Sequence, residues 1–386
     1  MPALSPEVEA LTPELVALRR ELHQHPELAF QETRTARAVA RFLDGFGLTV
    51  RTGVGGTGVV AEAGTGERTV LLRVDMDGLP IEEESAQPYA SREPGRMHAC
   101  GHDGHTAIGA GAARILAGRS LPGRVRLLFQ PAEEGAGGAQ AVIKDGVLDD
   151  VDVALGIHLW NELPVGSIGV KAGPLMASVD RLRIVIHGRG GHGAKPHLAH
   201  DPVLAAAHVV TALQSIVSRE VPPIQSAVLT VAAIRAGEAF NVIPDEAVLT
   251  GTIRSFDPEL RRSMPDRVAR VAKGVSEALQ CRAEVEVRPG NAAVSNDPRI
   301  AEIARRAAVR VVGEARVVEP EPTMGGEDMA CYFERAPGCF VFIGSANPDT
   351  GKAEPHHSPR FDFDEEALPI GCEFLVRAAE EALTSG

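Results

Sequence analysis

The densest chemistry in this 386-residue chain is the run Met97-His98-Ala99-Cys100-Gly101-His102-Asp103-Gly104-His105. Packing does not call for three histidines beside a cysteine and an aspartate, whereas thiolate and imidazole are the usual donors to zinc-like ions. Cys100 and His102 are two residues apart, so an extended backbone would point both to one side. Gly101 between them also permits a tight turn. Cys100 could instead be a nucleophile, a role that requires a partnering base and no metal carboxylates nearby. Carboxylates exist, because Pro131-Ala132-Glu133-Glu134-Gly135 offers two adjacent glutamates. Adjacent side chains diverge, so one can bind metal while its neighbour faces a metal-activated water, the division of labour that hydrolysis needs. His158, in Gly156-Ile157-His158-Leu159-Trp160, occupies a strand end where a core residue would be apolar. Pro355-His356-His357-Ser358-Pro359 adds two imidazoles, of which one can easily face a site while the other packs or hydrogen-bonds.

The elements that must position these residues read as α/β. Residues 69–74, 124–129 and 153–157 are apolar, strand-like runs, with a small-residue helix over 106–117 between the first two. Each run passes directly into polar residues: Asp75-Met76-Asp77, then Gln130 to Glu134, then His158. Binding crevices of open α/β sheets lie at the carboxyl ends of the strands, so three separate stretches would deliver acids and histidines to one place. The amino terminus reads as a helix with Thr12 as N-cap and Pro13 at its first position.

The middle of the chain follows a different order. Strand over 181–187, helix over 201–219, strands over 227–236 and 246–256, helix over 257–280 and strand over 282–287 give β-α-β-β-α-β, a ferredoxin-like arrangement. Pro265 would delay the start of the second helix. Helix and strand patterns resume over 297–312, 326–335, 339–344 and 364–383, so the middle set is an insertion. The expected division is a catalytic, metal-binding domain of residues 1–180 and 291–386 around an inserted domain of 181–290.

Composition narrows the partners. The 52 acidic residues against 39 Lys plus Arg, a net charge of −13, lack the basic field of a nucleic-acid or anionic-membrane binder. No run of about 18 apolar residues and no leader pattern is found, which points to the cytoplasm and away from the membrane. Five cysteines make no disulfide framework. Gly53-Val54-Gly55-Gly56-Thr57-Gly58 satisfies GxGxxG, but Val59-Val60-Ala61 follow where a dinucleotide fingerprint needs a helix, so a glycine-rich hairpin is expected.

Taken together, MHACGHDGH, PAEEG, GIHLW, GRGGHGAKPH, FNVIPD, GTIRSF and HSPRFDFDE resemble, in consistent order, the hippurate hydrolase and auxin-conjugate hydrolase family of amidohydrolases. That family also holds N-acyl-amino-acid deacylases and lies within the aminoacylase-type metallopeptidase clan. The resemblance implies two divalent ions per subunit (zinc, manganese, cobalt or nickel), with Cys100 bridging and His102, Glu134, His158 and His357 as terminal ligands. It implies Glu133 as general base. The wider clan carries HxD after the first strand, where this chain has Asp75-Met76-Asp77. That departure makes Asp75 a weak ligand candidate and Asp77 a residue that orients a ligand.

Within the insertion, the resemblance implies a lid and dimerisation domain. His192 would reach the active site, in several relatives from the partner subunit, and Asn241 and Arg254 would suit a substrate carboxylate. The expected reaction is hydrolysis of N-acyl amino acids, hippurate-like or N-acetylated, by a homodimer or dimer-based oligomer. The alternatives are a deacetylase of an N-acetyl-diaminopimelate intermediate, a dipeptidase of the same fold, a silent ligand-binding homologue, or a thiol enzyme built on Cys100.

Overall fold

A computed structural model describes residues 2–385. The chain divides into two compact units, one comprising the residues up to Leu175, Ser295–Glu321 and those from Asp328 onward, the other Met176–Val294 with Pro322–Glu327.

The first unit is built on an eight-stranded mixed sheet. Its strands lie in the order Thr49–Val54, Gly58–Gly64, Arg124–Gln130, Thr69–Asp75, Val153–Pro164, Gly338–Ala346, Ile168–Gly169 and Val317–Val318. The four from Arg124–Gln130 to Gly338–Ala346 are parallel. Every residue of Thr69–Asp75 is buried, as expected of a strand covered on both faces. Register sets the site: Asp75 lies opposite Gln130, and Arg73 opposite Gly156, two residues short of His158. Thr69–Asp75 and Arg124–Gln130 therefore end level, just before Asp77 and Glu133, while the third strand carries His158 beside them.

The helix predicted over 106–117 begins earlier, at His102, and runs to Ala117. Gly101 caps it at φ 90°, so Cys100 and His102 are set by a left-handed turn and not by extended chain. Gly104 brings its first turn against the sheet, since a Cβ there would stand 2.5 Å from Leu159 and 2.6 Å from Phe363. The amino-terminal helix also starts before Thr12, spanning Pro6–His23 with Pro13 inside it. The stripe Val8, Leu11, Leu15, Leu18 and Leu22 is buried at helical spacing, and its packing outweighs the one hydrogen bond that Pro13 forgoes. His158 does not end its strand, which spans twelve residues from Val153 to Pro164 because Gly338–Ala346 pairs along most of its length. The Gly53–Gly58 segment is the turn of an antiparallel hairpin.

The second unit holds a four-stranded antiparallel sheet in the order Ala227–Ala236, Glu246–Ser255, Asp180–His187, Arg282–Pro289. Its helices are Pro202–Ser215, extended by a π-helical turn at Ile216–Glu220, and Pro258–Ala278. Asp201 and Asp257 cap them through side-chain oxygens. Pro265 lies inside the second helix, correcting the expected late start. Leu260, Met264, Val268 and Ala272 bury one face of that helix from its first turn. These side chains join Leu182, Ile184, Ile186, Val209 and Leu249 in a core of the unit's own. No helix among the described residues is long and apolar enough to cross a membrane.

Candidate metal centre

Two groups of donor atoms meet at Cys100. Cys100, His102 and His158 offer atoms that all lie within 4.8 Å of one another, and so do Cys100, Glu134 and His357. Cys100 Sγ stands 3.5 Å from His158 Nε2, and Glu134 Oε1 3.2 Å from His357 Nε2. Donors on one tetrahedral ion with bonds of about 2.0–2.3 Å are about 3.3–3.7 Å apart, so both spacings suit a shared ion. Two buried atoms, His102 Nε2 and Glu134 Oε1, make no hydrogen bond among the described residues and face each other across 4.0 Å. Buried polar atoms left unmatched in this way fit a cation between them.

The other ring nitrogens fix which face each histidine presents. His158 Nδ1 is 2.6 Å from the Leu159 carbonyl and must carry the proton, leaving Nε2 as the donor atom. Burial, with the neighbouring His105 and His356, pushes the His158 pKa well down, so the ring is the neutral ligand form. His102 Nδ1 stands 3.3 Å from Asp77 Oδ1, which turns Nε2 toward the gap. His357 holds φ 66°, in the left-handed region, and its N–H donates to the Ala99 carbonyl at 2.8 Å. His356 packs away from this gap, its ring 5.0 Å from Trp160 and 4.9 Å from Phe361.

The electrostatics of the cluster favour protons on three of its donors. Burial and the Glu134 charge push the Cys100 thiol up, against the neighbouring His102 imidazole. The neighbouring Cys100 and the Glu134 carboxylate raise His357 to about 10. Burial opposes charge on His102, but Asp75 and Asp77 carry its pKa well above the usual value. A thiol held neutral beside a carboxylate is a poor nucleophile and becomes a thiolate only when a cation takes the proton's place.

Glu133 is buried, and its carboxylate groups with His102 and Glu134 within the same 4.8 Å. The Asp328 N–H donates to its Oε1 at 3.3 Å. Asp77 receives the N–H groups of Glu133 and Glu134, each at 3.0 Å, one on each oxygen.

Sequence reasoning gave no role to His105. It is wholly buried, its Nδ1 2.6 Å from Asp75 Oδ1, while its Nε2 accepts the Leu159 N–H at 2.8 Å. Although His105, Asp75 and His102 sit close enough to hold an ion, both nitrogens of His105 are committed. Asp75 is committed too, with Arg73 Nη1 2.7 Å from its Oδ2. His98 is buried without a hydrogen-bond partner among the described residues, and burial pushes it down to about 4.

The second unit holds His192, Asn241 and Arg254. His192 and Asn241 are neighbours across a short two-stranded ribbon, where Gly193 N–H donates to the Asn241 carbonyl at 2.8 Å. His192 is exposed, and its Nδ1 accepts the Ala194 N–H at 3.0 Å. Arg254 is half-buried in the Glu246–Ser255 strand, Nε donating to Thr252 Oγ1 at 3.0 Å, and burial lowers its pKa.

The profile of Peptidase family M20/M25/M40 matches residues 71–381. N-acetyl-L-cysteine deacetylase of Bacillus subtilis (strain 168) is 43% identical over 382 residues, 98% of this chain and 90% of that protein. IAA-amino acid hydrolase ILR1-like 5 of Arabidopsis thaliana is 39% identical over 376 residues, 96% of this chain and 86% of that protein. Among solved structures, the Bacillus subtilis YXEP protein, described as a dinuclear metal binding peptidase from the M20 family, superimposes with a TM-score of 0.85 at 40% identity, covering 96% of this chain and 98% of that one. This chain belongs to peptidase family M20/M25/M40, and within it to the amidohydrolases.

Proposed function

We propose that the chain hydrolyses the amide bond of N-acyl amino acids, releasing a carboxylic acid and a free amino acid. In this reading two divalent ions are held by Cys100, His102, Glu134, His158 and His357. The observation that carries it is the pair of donor triads sharing Cys100, with the Glu133 carboxylate beside them. The relatives' names support the substrate class. Zinc suits the sulfur, nitrogen and carboxylate donors, and manganese, cobalt or nickel can load the same set.

Such ions, when bound, polarise the amide carbonyl and make a coordinated water more acidic. The chain's own residues do the rest. Glu133 accepts a proton from the attacking water as its oxygen bonds to the amide carbon. The Asp328 N–H keeps that carboxylate aimed. Glu133 then returns the proton to the nitrogen as the C–N bond breaks. His192, from this chain or a second copy, donates to the developing oxyanion. Asn241 and the Arg254 guanidinium take the substrate's carboxylate, which the planar fork can grip bidentately.

The second unit is read as a ferredoxin-like lid and dimerisation domain corresponding to residues 181–290, opening to release products. Its βαββαβ order supports the ferredoxin-like part, and its exposed Ile224, Ile234, Phe240 and Val242 support a covering partner chain. Five cysteines that make no disulfide framework suit the reducing cytoplasm.

Assaying hippurate, N-acetyl amino acids and acetyl-diaminopimelate for free amino groups tests the proposal. Release from α-carboxylate N-acyl amino acids, lost when that carboxylate is amidated, is expected. No release from any of them by metal-loaded protein would overturn it.

A further inference from the structure

Three consecutive backbone N–H groups of the base loop each donate to a carboxylate oxygen. Glu133 and Glu134 use Asp77, and Ala132 uses Oε1 of Glu32 at 2.8 Å. Ala132 is wholly buried and holds φ 57°, in the left-handed region. That conformation disfavours any residue with a Cβ by about tenfold or more. Relaxing it would redirect the chain at the next residue, Glu133. The loop has little other slack: the Ala132 carbonyl accepts the Gly138 N–H at 3.1 Å, and a Cβ on Gly138 would stand 1.7 Å from the Pro131 oxygen.

Glu32 is wholly buried, and its second oxygen accepts the Thr57 hydroxyl at 2.5 Å. Thr57 belongs to the glycine-rich turn that the dinucleotide reading left without a purpose. That turn packs on the base loop, because a Cβ on Gly58 would meet Pro131 Cδ at 2.9 Å and the Val54 oxygen at 2.5 Å.

We infer that Glu32 is a positioning residue for Glu133, its carboxylate, oriented by Thr57, holding Ala132 left-handed so that the base reaches the donor cluster. The glycine-rich turn serves the base loop through Thr57. This rests on the reading of Glu133 as the base.

The test measures kcat, KM and bound metal on the N-acyl amino acid that the wild type turns over fastest. Glu32→Ala should lower kcat by about tenfold or more, leaving KM and metal content unchanged. Glu32→Gln, whose amide oxygen still accepts the Ala132 N–H, should stay within about threefold of wild type. Adding Ala132→Gly to Glu32→Ala should restore most of kcat, because glycine takes φ 57° unaided. A merely structural loss would not be rescued this way. Glu32→Ala within about twofold of wild type, or a double variant no faster than Glu32→Ala, overturns the inference. If Glu32→Ala does not fold, Thr57→Val gives the same reading: a kcat loss that disappears in the Ala132→Gly background supports it, and an unchanged kcat overturns it. Glu133→Gln is measured alongside. Turnover surviving there overturns the base reading and this inference with it. Turnover lost there but unimpaired in Glu32→Ala overturns the positioning alone.

Discussion

Asp77 accepts the Glu133 N–H on the same Oδ1 that lies 3.3 Å from His102 Nδ1. One carboxylate therefore orients the His102 imidazole of the donor cluster and the backbone that carries Glu133, while its other oxygen takes the Glu134 N–H. An asparagine cannot accept on both sides. Asp77→Asn should weaken metal binding by about 10–100-fold, read by titrating metal into stripped protein. Unchanged affinity would show that Asp77 does not orient His102.

Because Cys100 belongs to both donor triads, its loss should differ in kind from loss of a residue in one. Cys100→Ala should retain neither ion at stoichiometric loading, whereas His158→Ala and His357→Ala should each retain one. Metal content per chain after desalting decides it. Two ions surviving in Cys100→Ala would contradict the shared ligand.

Metal uptake should depend on pH. Stripped of metal, the site has the Cys100 thiol and the His102 and His357 pKa values all raised, His357 to about 10. Each group is therefore protonated at neutral pH and must release its proton to bind an ion. Apparent affinity should rise steadily from pH 6 to pH 9, with protons released into the buffer. Calorimetry in buffers of different ionisation enthalpy measures that release. Affinity flat across this range would contradict the assignment.

Both ring nitrogens of His105 are taken by protein partners. Replacing it with Phe leaves the Leu159 N–H and Asp75 Oδ1 without their partner in a dry interior, at about 1–3 kcal/mol for each group. His105→Phe should unfold at lower urea concentration while still binding two ions. Loss of an ion with stability intact would reverse this reading.

What could be read from the sequence followed from chemistry that packing does not explain. Cys100, His102, Glu134, His158 and His357 stand out because their residue types are costly to bury without a purpose, and the structure gathers all five. The four longer strands and two long helices of the middle were also legible, since alternating and helical periodicities do not mimic each other. What was hidden depends on contacts distant in sequence. Glu32 and Ala132 are a hundred positions apart, and nothing local to either signals a left-handed alanine held by a carboxylate. His105 drew no role from the sequence because its partners, Asp75 and the Leu159 N–H, lie 30 and 54 positions away. The early start of the first helix was missed because Pro13 imitates an N1 proline, and the stripe beginning at Val8 outweighs it.

The central claim, a hydrolase whose reaction needs the Cys100-centred donor cluster loaded, is tested most directly by stripping the protein with chelator and assaying amino-acid release. The assay is then repeated after adding zinc, manganese, cobalt or nickel separately. The account predicts that release vanishes on stripping and returns with at least one of these ions. Full release from verifiably metal-free protein would contradict it and leave the Cys100 thiol as the reactive group.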